Sequence, residues 1–173
     1  PNIVPVEDED ISKQMERSMK KAGVKIMTNS SVERIDTTGA GVKAYVKTAK
    51  GEEVLEADIL LSAVGIKTNI ENIGLEEVGI ATDRDKILVN AYNATNIPGY
   101  YAIGDVTPGQ ALAHVASAEG INCVEKIAGL HVEPIDYGNV PGCTYATPEI
   151  ASVGLTEKQA KEKGYELKIG KFP

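Results

Sequence analysis

The residues with the clearest chemical potential close the stretch 95–105, whose sequence is TNIPGYYAIGD. A buried strand is predicted over 100–103, and it would deliver the carboxylate of Asp105 at its carboxyl end, with Gly104 letting another group approach the backbone closely. A predicted helix begins a few residues later and offers free N–H groups and positive potential. Open α/β sheets bind ligands at the carboxyl ends of their strands, where a carboxylate suits a sugar or polyol hydroxyl. By spacing alone, a turn-capping role explains Asp105 equally well.

The cysteines and histidines predict neither a redox pair nor a metal site. A redox pair needs two thiols a few residues apart, whereas Cys123 and Cys143 stand in separate segments and are interpreted as packed thiols. His114 starts a predicted helix and is interpreted as a packed residue, and His131 is interpreted as a surface residue. No zinc-ligand spacing is present. We therefore predict no catalytic residue and no metal ligand in this chain.

Three helices are predicted to frame these residues. Apolar spacing and caps indicate helices over 8–22 and 111–128. A third helix begins at Thr156, where Gln159 completes a capping box, and ends at Gly164.

The predicted strands fall into two kinds. Short alternating runs separated by glycine turns indicate an antiparallel meander over 32–36, 42–48 and 53–56. The nearly continuous apolar run 58–65 is typical of a buried strand in a parallel sheet. Further short strands are predicted at 24–27, 87–89, 143–145, 150–153 and 165–172.

Composition narrows the class of protein. The net charge of −7 argues against a nucleic-acid surface. No stretch has the length of a membrane helix, no signal peptide opens the chain, and a cytoplasmic location is the default. Because the chain starts with Pro1 and ends on a predicted strand, we expect it to be a fragment of a longer protein.

Several segments together resemble the pyridine nucleotide-disulfide oxidoreductases. The stretch 95–105 is similar to their second FAD-binding motif, as is 111–114 (ALAH) followed by Glu119-Gly120. The stretch 141–156, with Tyr145 and Pro148-Glu149, resembles the opening of their dimerisation domain, and 1–65 resembles the back half of their NAD-binding domain. Within the family, 74–76 and 101–105 match best the members that oxidise dihydrolipoamide.

The resemblance implies specific cofactor contacts. Asp105 would bond the ribityl chain of FAD, and four residues would line the flavin near its pyrimidine edge: Ala111, Leu112, Ala113 and His114. Val32 would touch the adenine side of NAD, and Gly65 would let NAD approach the backbone. Two departures stand out. Val115 replaces a basic residue common in the family, and Ile66-Lys67-Thr68 replaces an arginine-rich loop.

The resulting expectation is an α/β fold, α+β within the fragment. It would comprise partial FAD/NAD(P)-binding Rossmann-like domains and the start of an α+β dimerisation domain. The expected boundaries are 1–69 for the back of the NAD domain, 70–138 for the central FAD-contacting segment and 139–173 for the interface domain. The resemblance implies a homodimeric parent using FAD and NAD, whose partner is dihydrolipoamide on a carrier domain of a 2-oxo acid dehydrogenase complex. The fragment alone is expected to be inactive.

Two other interpretations stay open. The parent could be a sibling enzyme acting on another substrate, such as glutathione or mercuric reductase. The chain could instead be a folded module without catalysis, for which no cofactor binding would be expected.

Overall fold

The computed structural model describes residues 2–172, which divide into two compact units. The first unit joins Pro1–Ala63 to Pro141–Pro173, and the second is Val64–Val140. The domain borders predicted at 69/70 and 138/139 lie a few residues from the divisions between the two units at 63/64 and 140/141. The assignment of each segment to a domain stays a prediction. None of the helices between residues 2 and 172 has the length and apolar character needed to span a bilayer.

Helix α1 (Glu9–Lys21) opens the first unit, close to the predicted 8–22. Asp8 is its N-cap and accepts a hydrogen bond from the Asp10 N–H, while acidic residues fill the first turn and lysines the last, as the helix dipole favours. The buried side of α1 includes Met15 and Ser12. The Ser12 hydroxyl donates to the Ile3 carbonyl at 2.6 Å, which fixes the segment before the helix.

The predicted meander is confirmed as a three-stranded antiparallel sheet in the order β1 (Ser31–Asp36), β2 (Val42–Thr48) and β3 (Gly51–Ala57). Its central strand places Ala44 and Val46 in the core. Gly41 is needed in the turn before β2, because its φ is 97° and an added Cβ would lie 2.7 Å from the Ala57 carbonyl oxygen.

The second stretch of this unit contains β6 (Gly142–Thr144), β7 (Ile150–Ser152) and α4 (Glu157–Glu162). β6 and β7 pair antiparallel. The predicted capping box is confirmed, since the Thr156 and Gln159 side chains each accept a backbone N–H of the other residue. The two stretches are tied together by Asp8, whose Oδ2 also accepts the Glu157 N–H at 2.8 Å.

Three predicted strands are absent from the described chain. Residues 24–27, 58–65 and 165–172 form no regular strand. The run 58–65 pairs with no other segment among residues 2–172, and Ile59, Leu61 and Val64 are 84%, 87% and 96% exposed. The prediction was wrong for this chain because an apolar run becomes a central strand only when neighbours cover its edges and faces.

The second unit is built from short elements around one long helix: α2 (Leu75–Val78), the hairpin β4 (Thr82–Asp83) with β5 (Lys86–Ile87), and α3 (Ala113–Ile127). Asparagine and threonine side chains hold its loops. Buried Asn93 donates to the Ala102 carbonyl, and the buried Thr68 hydroxyl donates to the Asp85 carbonyl. The helix predicted over 111–128 is confirmed with a slightly later start.

The strand predicted over 100–103 forms only in part. A single antiparallel bridge joins Ala94 to Tyr101, and the Tyr101 and Ile103 side chains are 44% and 42% exposed. The strand predicted over 87–89 is limited to β5, which ends at Ile87. In both places the described residues supply too few neighbours to complete a sheet.

Candidate functional site

Asp105 lies in a single 3-10 turn, Gly104–Val106, directly after the extended segment 100–103. The turn is closed by Thr107, whose N–H and hydroxyl both donate to the Gly104 carbonyl, at 2.9 and 2.8 Å. Lys86 Nζ donates to the Asp105 carbonyl at 2.6 Å. The Asp105 side chain is exposed, and none of the ion pairs found among residues 2–172 involves it. The backbone here is fixed while the carboxylate faces solvent.

The turn packs against helix α3. Two glycines allow this close packing. An added Cβ on Gly104 would lie 3.3 Å from the Ala116 Cβ, and one on Gly120 would lie 3.3 Å from the Ile103 Cδ1. Gly104 also has a φ of 75°, which side-chain-bearing residues rarely adopt. Glycine is therefore required at position 104 for two reasons, the close contact with α3 and the left-handed backbone of the turn.

The start of α3 has no side-chain cap. Its N-cap residue is Leu112, whose side chain has no oxygen to accept the N–H groups of the first turn. A helix start without a side-chain cap, together with the helix dipole, favours an anion or an electron-rich group there. Ala111, Ala113 and His114 are exposed and Leu112 is half-buried, so the predicted flavin-lining residues share this helix start.

Glu119 is a site residue whose role the sequence did not indicate. Its side chain is only 2% exposed, yet both carboxylate oxygens accept hydrogen bonds. Oε2 accepts the Gly104 N–H at 2.6 Å, and Oε1 accepts the Tyr137 hydroxyl at 2.7 Å. Two signals were present: Glu119-Gly120 follows the stretch that resembles the FAD-binding motif, and position 119 is in phase with the apolar, buried Val115 and Cys123 on the helix.

Tyr137 completes this contact. Partial burial and the hydrogen bond to the Glu119 carboxylate raise the pKa of Tyr137 to about 12. Its ring lies beside Gly109, where an added Cβ would be 3.7 Å from the ring Cε1. Tyr137 thus connects α3 with the loop that precedes it.

The two NAD-side predictions fall in different units. Val32 lies on β1 in the first unit and is 55% exposed. Gly65 lies in the second unit with a φ of 130° and open space around the position of an added Cβ. Both positions are accessible, and their roles stay predictions. The departure at Val115 has a structural explanation, because that side chain is 2% exposed and belongs to the core.

The thiols match their predicted roles in part. Cys123 is buried, which raises the pKa of its thiol, whereas Cys143 is exposed rather than packed because β6 leaves its side chain in solvent. Both are free thiols. Within residues 2–172, no cluster of three or more His, Cys, Asp or Glu side chains is arranged to hold a metal ion.

A cleft of about 910 Å³ lies in the first unit, between the segment before α1 and helix α4. Its walls carry acidic and basic side chains, including Glu9, Asp10, Lys158 and Lys171. It is open and charged, and it belongs to the unit that does not contain Asp105. We therefore do not assign the predicted cofactor site to it.

An exposed carboxylate after an extended segment, on a turn that packs against a helix without a side-chain cap, is typical of α/β proteins that bind a nucleotide cofactor. Comparison with known proteins gives the family. Residues 1–120 match the model of the pyridine nucleotide-disulphide oxidoreductases, and residues 140–173 match the dimerisation domain of the same family. The chain belongs to the pyridine nucleotide-disulphide oxidoreductases.

Curated relatives are similar along the whole chain. It is 47% identical to a dihydrolipoyl dehydrogenase from Rhizobium etli over 99% of this chain and 36% of that protein. It is 46% identical to a leghemoglobin reductase from Glycine max over 99% of this chain and 33% of that protein. The chain therefore spans about a third of the length of these relatives.

Solved structures support the same fold. LpdA from Mycobacterium tuberculosis matches with a TM-score of 0.83 and 31% identity over 92% of this chain and 34% of that one. The flavoprotein disulfide reductase RclA from Escherichia coli matches with a TM-score of 0.83 and 30% identity over 94% of this chain and 37% of that one. The predicted fold class, partial Rossmann-like cofactor domains with the start of a dimerisation domain, is confirmed.

The cofactors of this family are FAD and NAD. The residues around Asp105 fit FAD. The solvent-facing carboxylate can accept hydrogen bonds from the hydroxyls of its ribityl chain. The start of α3, which has no side-chain cap, favours an electron-rich group such as the flavin. Nothing in this geometry conflicts with the expected cofactor.

Proposed function

We propose that this chain supplies the central FAD-contacting segment of a dihydrolipoyl dehydrogenase. The observation that carries the proposal is the exposed Asp105 carboxylate on a turn that packs against α3, a helix without a side-chain cap. The sequence relatives named dihydrolipoyl dehydrogenase support the choice of enzyme. The whole protein would oxidise dihydrolipoamide with NAD⁺ by way of FAD and an enzyme disulfide.

The predicted residues would bind and orient FAD and would not react with it. Asp105 would accept hydrogen bonds from the ribityl hydroxyls, and the backbone of Ala111, Leu112, Ala113 and His114 would line the pyrimidine edge of the flavin. FAD, when bound, supplies electron transfer between the dithiol and NAD⁺. The start of α3 would favour negative charge at that edge through the helix dipole. His114 would line the flavin and would not exchange protons.

The remaining parts of the proposal concern the whole protein. Val32 and Gly65 would contact NAD, and the segments 1–69, 70–138 and 139–173 would belong to the NAD, FAD and interface domains. The parent would be a cytoplasmic homodimer, with dihydrolipoamide presented on the carrier domain of a 2-oxo acid dehydrogenase complex. The match of residues 140–173 to a dimerisation domain supports the dimer.

Titration of the chain with FAD tests the proposal. Asp105→Asn removes charge from the acceptor, and hydrogen bonds to charged groups contribute about 1.5–3 kcal/mol. We expect FAD affinity to fall about tenfold to a hundredfold. Asp83→Asn is the control, because Asp83 is an exposed carboxylate on β4 in the same unit. Equal affinities for both variants would contradict the assigned role of Asp105.

Catalysis is a separate part of the proposal. The two cysteines of the chain lie in different units, one buried and one exposed, so we propose that the chain alone has no oxidoreductase activity. Incubation with dihydrolipoamide and NAD⁺ should give no NADH absorbance. NADH formation that depends on dihydrolipoamide would contradict this.

A second candidate is a family member with another electron acceptor. The relatives include a protein named leghemoglobin reductase at 46% identity, so similarity of this degree does not by itself fix the substrate. Activity of the whole protein on dihydrolipoamide, compared with glutathione disulfide and mercuric ion, would separate these enzymes. A folded, colourless chain that does not bind added FAD would instead favour a module without catalysis.

A further inference from the structure

Glu119 is an acidic side chain in an unusual place for an acid. It lies on the inner side of α3 with 2% of its surface exposed. Burial of a carboxylate is unfavourable unless hydrogen bonds replace its water. Here each oxygen accepts one donor, Gly104 N–H at 2.6 Å and Tyr137 Oη at 2.7 Å. A carboxylate can hold both donors at once because it has two acceptor oxygens.

The first donor belongs to the turn that carries Asp105. Gly104 can approach the helix because it has no Cβ to meet Ala116. The Glu119 bond holds the N-terminal side of the turn, while Thr107 closes the turn on the Gly104 carbonyl. Lys86 holds the Asp105 carbonyl from another direction. Three side chains thus fix the backbone around Asp105 and leave its carboxylate exposed.

The second donor belongs to the segment that follows α3. The Tyr137 carbonyl accepts a hydrogen bond from Gln110 Nε2 at 3.5 Å, and its ring lies beside Gly109. The same segment is held close to α3 at a second point, where Asn122 Nδ2 donates to the Glu133 carbonyl at 2.7 Å. Through Tyr137, Glu119 is therefore connected to the loop that leads to Ala111.

We infer that Glu119 is a positioning residue that holds the Asp105 turn and the loop before α3 in one arrangement for FAD. The inference rests on the proposed function, because FAD is the ligand that the positioned groups would contact. Glu119 itself is buried and acts through Gly104 and Tyr137. Loss of its carboxylate should loosen both parts of the site together.

The decisive variant is Glu119→Gln, which keeps one acceptor oxygen and replaces the other by an NH2 group, so that neither Gly104 nor Tyr137 keeps a carboxylate acceptor. In the 173-residue chain, we expect amide hydrogen exchange at Gly104, followed by NMR, to become about tenfold faster because its N–H exchanges a carboxylate acceptor for a weaker amide acceptor. Glu125→Gln is the matched control, since Glu125 is exposed on the same helix. Unchanged Gly104 exchange in folded Glu119→Gln would overturn the inference.

Tyr137→Phe gives a second test that keeps the carboxylate. Removal of the hydroxyl should speed amide exchange over Gln110–Ala113 and leave Gly104 protected by Glu119. Equal exchange over Gln110–Ala113 in Tyr137→Phe and the unaltered chain would overturn the inference, even if Glu119→Gln alone did not fold.

Cofactor affinity provides a separate readout. FAD affinity should fall about tenfold in Glu119→Gln and stay unchanged in Glu125→Gln, the tenfold fall corresponding to loss of a typical charged hydrogen bond. An affinity equal to that of the unaltered chain would overturn the role of Glu119 in FAD binding. Failure of the unaltered chain to bind FAD would overturn the proposed function of this chain. The Gly104 exchange experiment contains no FAD. It therefore tests the positioning role of Glu119 separately from the proposed function of the chain.

Discussion

At the residue scale, two carboxylates on neighbouring elements have opposite environments. Asp105 faces solvent on a fixed turn, whereas Glu119 is removed from solvent and accepts a hydrogen bond at each oxygen. The exposed carboxylate is available to a ligand. The buried one is occupied by the protein and can act on a ligand only by holding other residues in place.

The Tyr137–Glu119 contact predicts a pH dependence of stability. The pKa of Tyr137 is raised to about 12, above the ordinary value near 10. The contact therefore stabilises the folded chain fully below about pH 10, and its contribution is lost as the pH rises toward 12. Because Tyr137 is 38% exposed and solvent screens the contact, we expect a contribution of about 1 kcal/mol.

Urea unfolding of the unaltered chain and of Tyr137→Phe measures this contribution. At pH 8 the unaltered chain should be more stable by that amount, and at pH 11 the difference should be smaller. A difference that stays constant or grows with pH would contradict the assigned hydrogen bond.

The sequence indicated Asp105 but not the role of Glu119. Asp105 could be found because glycine, carboxylate and helix start follow one another along the chain within a few residues. The partners of Glu119, Gly104 and Tyr137, lie far along the chain on either side. Contacts of that kind depend on how the helix packs, which neither spacing nor composition specifies.

At the element scale, the site depends on close packing between α3 and the turn before it. Gly104 combines a left-handed φ of 75° with an added-Cβ distance of 3.3 Å to the Ala116 Cβ. Gly129, after the same helix, has a similar φ of 80° but open space at the added Cβ. A comparison of Gly104 with Gly129 therefore separates the cost of a left-handed backbone from the cost of a packing clash.

We predict that Gly104→Ala destabilises the chain more than Gly129→Ala. Left-handed backbone alone should cost each variant about 1–2 kcal/mol. The contact with Ala116 should add about 1 kcal/mol at Gly104, because the helix must shift to admit the methyl group. Thermal or urea unfolding measures both variants, and equal losses would show that α3 does not pack tightly on the turn.

The elements predicted from local signals are the ones that form. The α1 helix and the β1–β3 meander are specified by caps, turns and neighbouring strands within the same stretch of chain. The runs 58–65 and 165–172 carry strand-like sequences without a partner strand among the described residues. Local pattern predicts what a segment prefers, and a strand also needs a second segment to pair with.

At the scale of the whole molecule, the chain forms two compact units and spans about a third of its curated relatives. Large apolar side chains are exposed in both units, including Leu61 in the first and Val64 and Ile121 in the second. A chain that contacts FAD through one segment makes few contacts with it, and its binding free energy is correspondingly small. We therefore expect FAD binding by this chain to be weak and confined to the second unit.

Weak binding calls for a measurement that reports position as well as affinity. An NMR titration of the ¹⁵N-labelled chain with riboflavin, which has the ribityl chain, and with lumiflavin, which lacks it, tests directly whether Asp105 binds the flavin polyol. Riboflavin should shift the amide signals of Gly104, Asp105 and the first turn of α3, and lumiflavin should leave the Asp105 signal in place. Equal shifts at Asp105 with both flavins, or riboflavin shifts confined to other residues, would contradict the account.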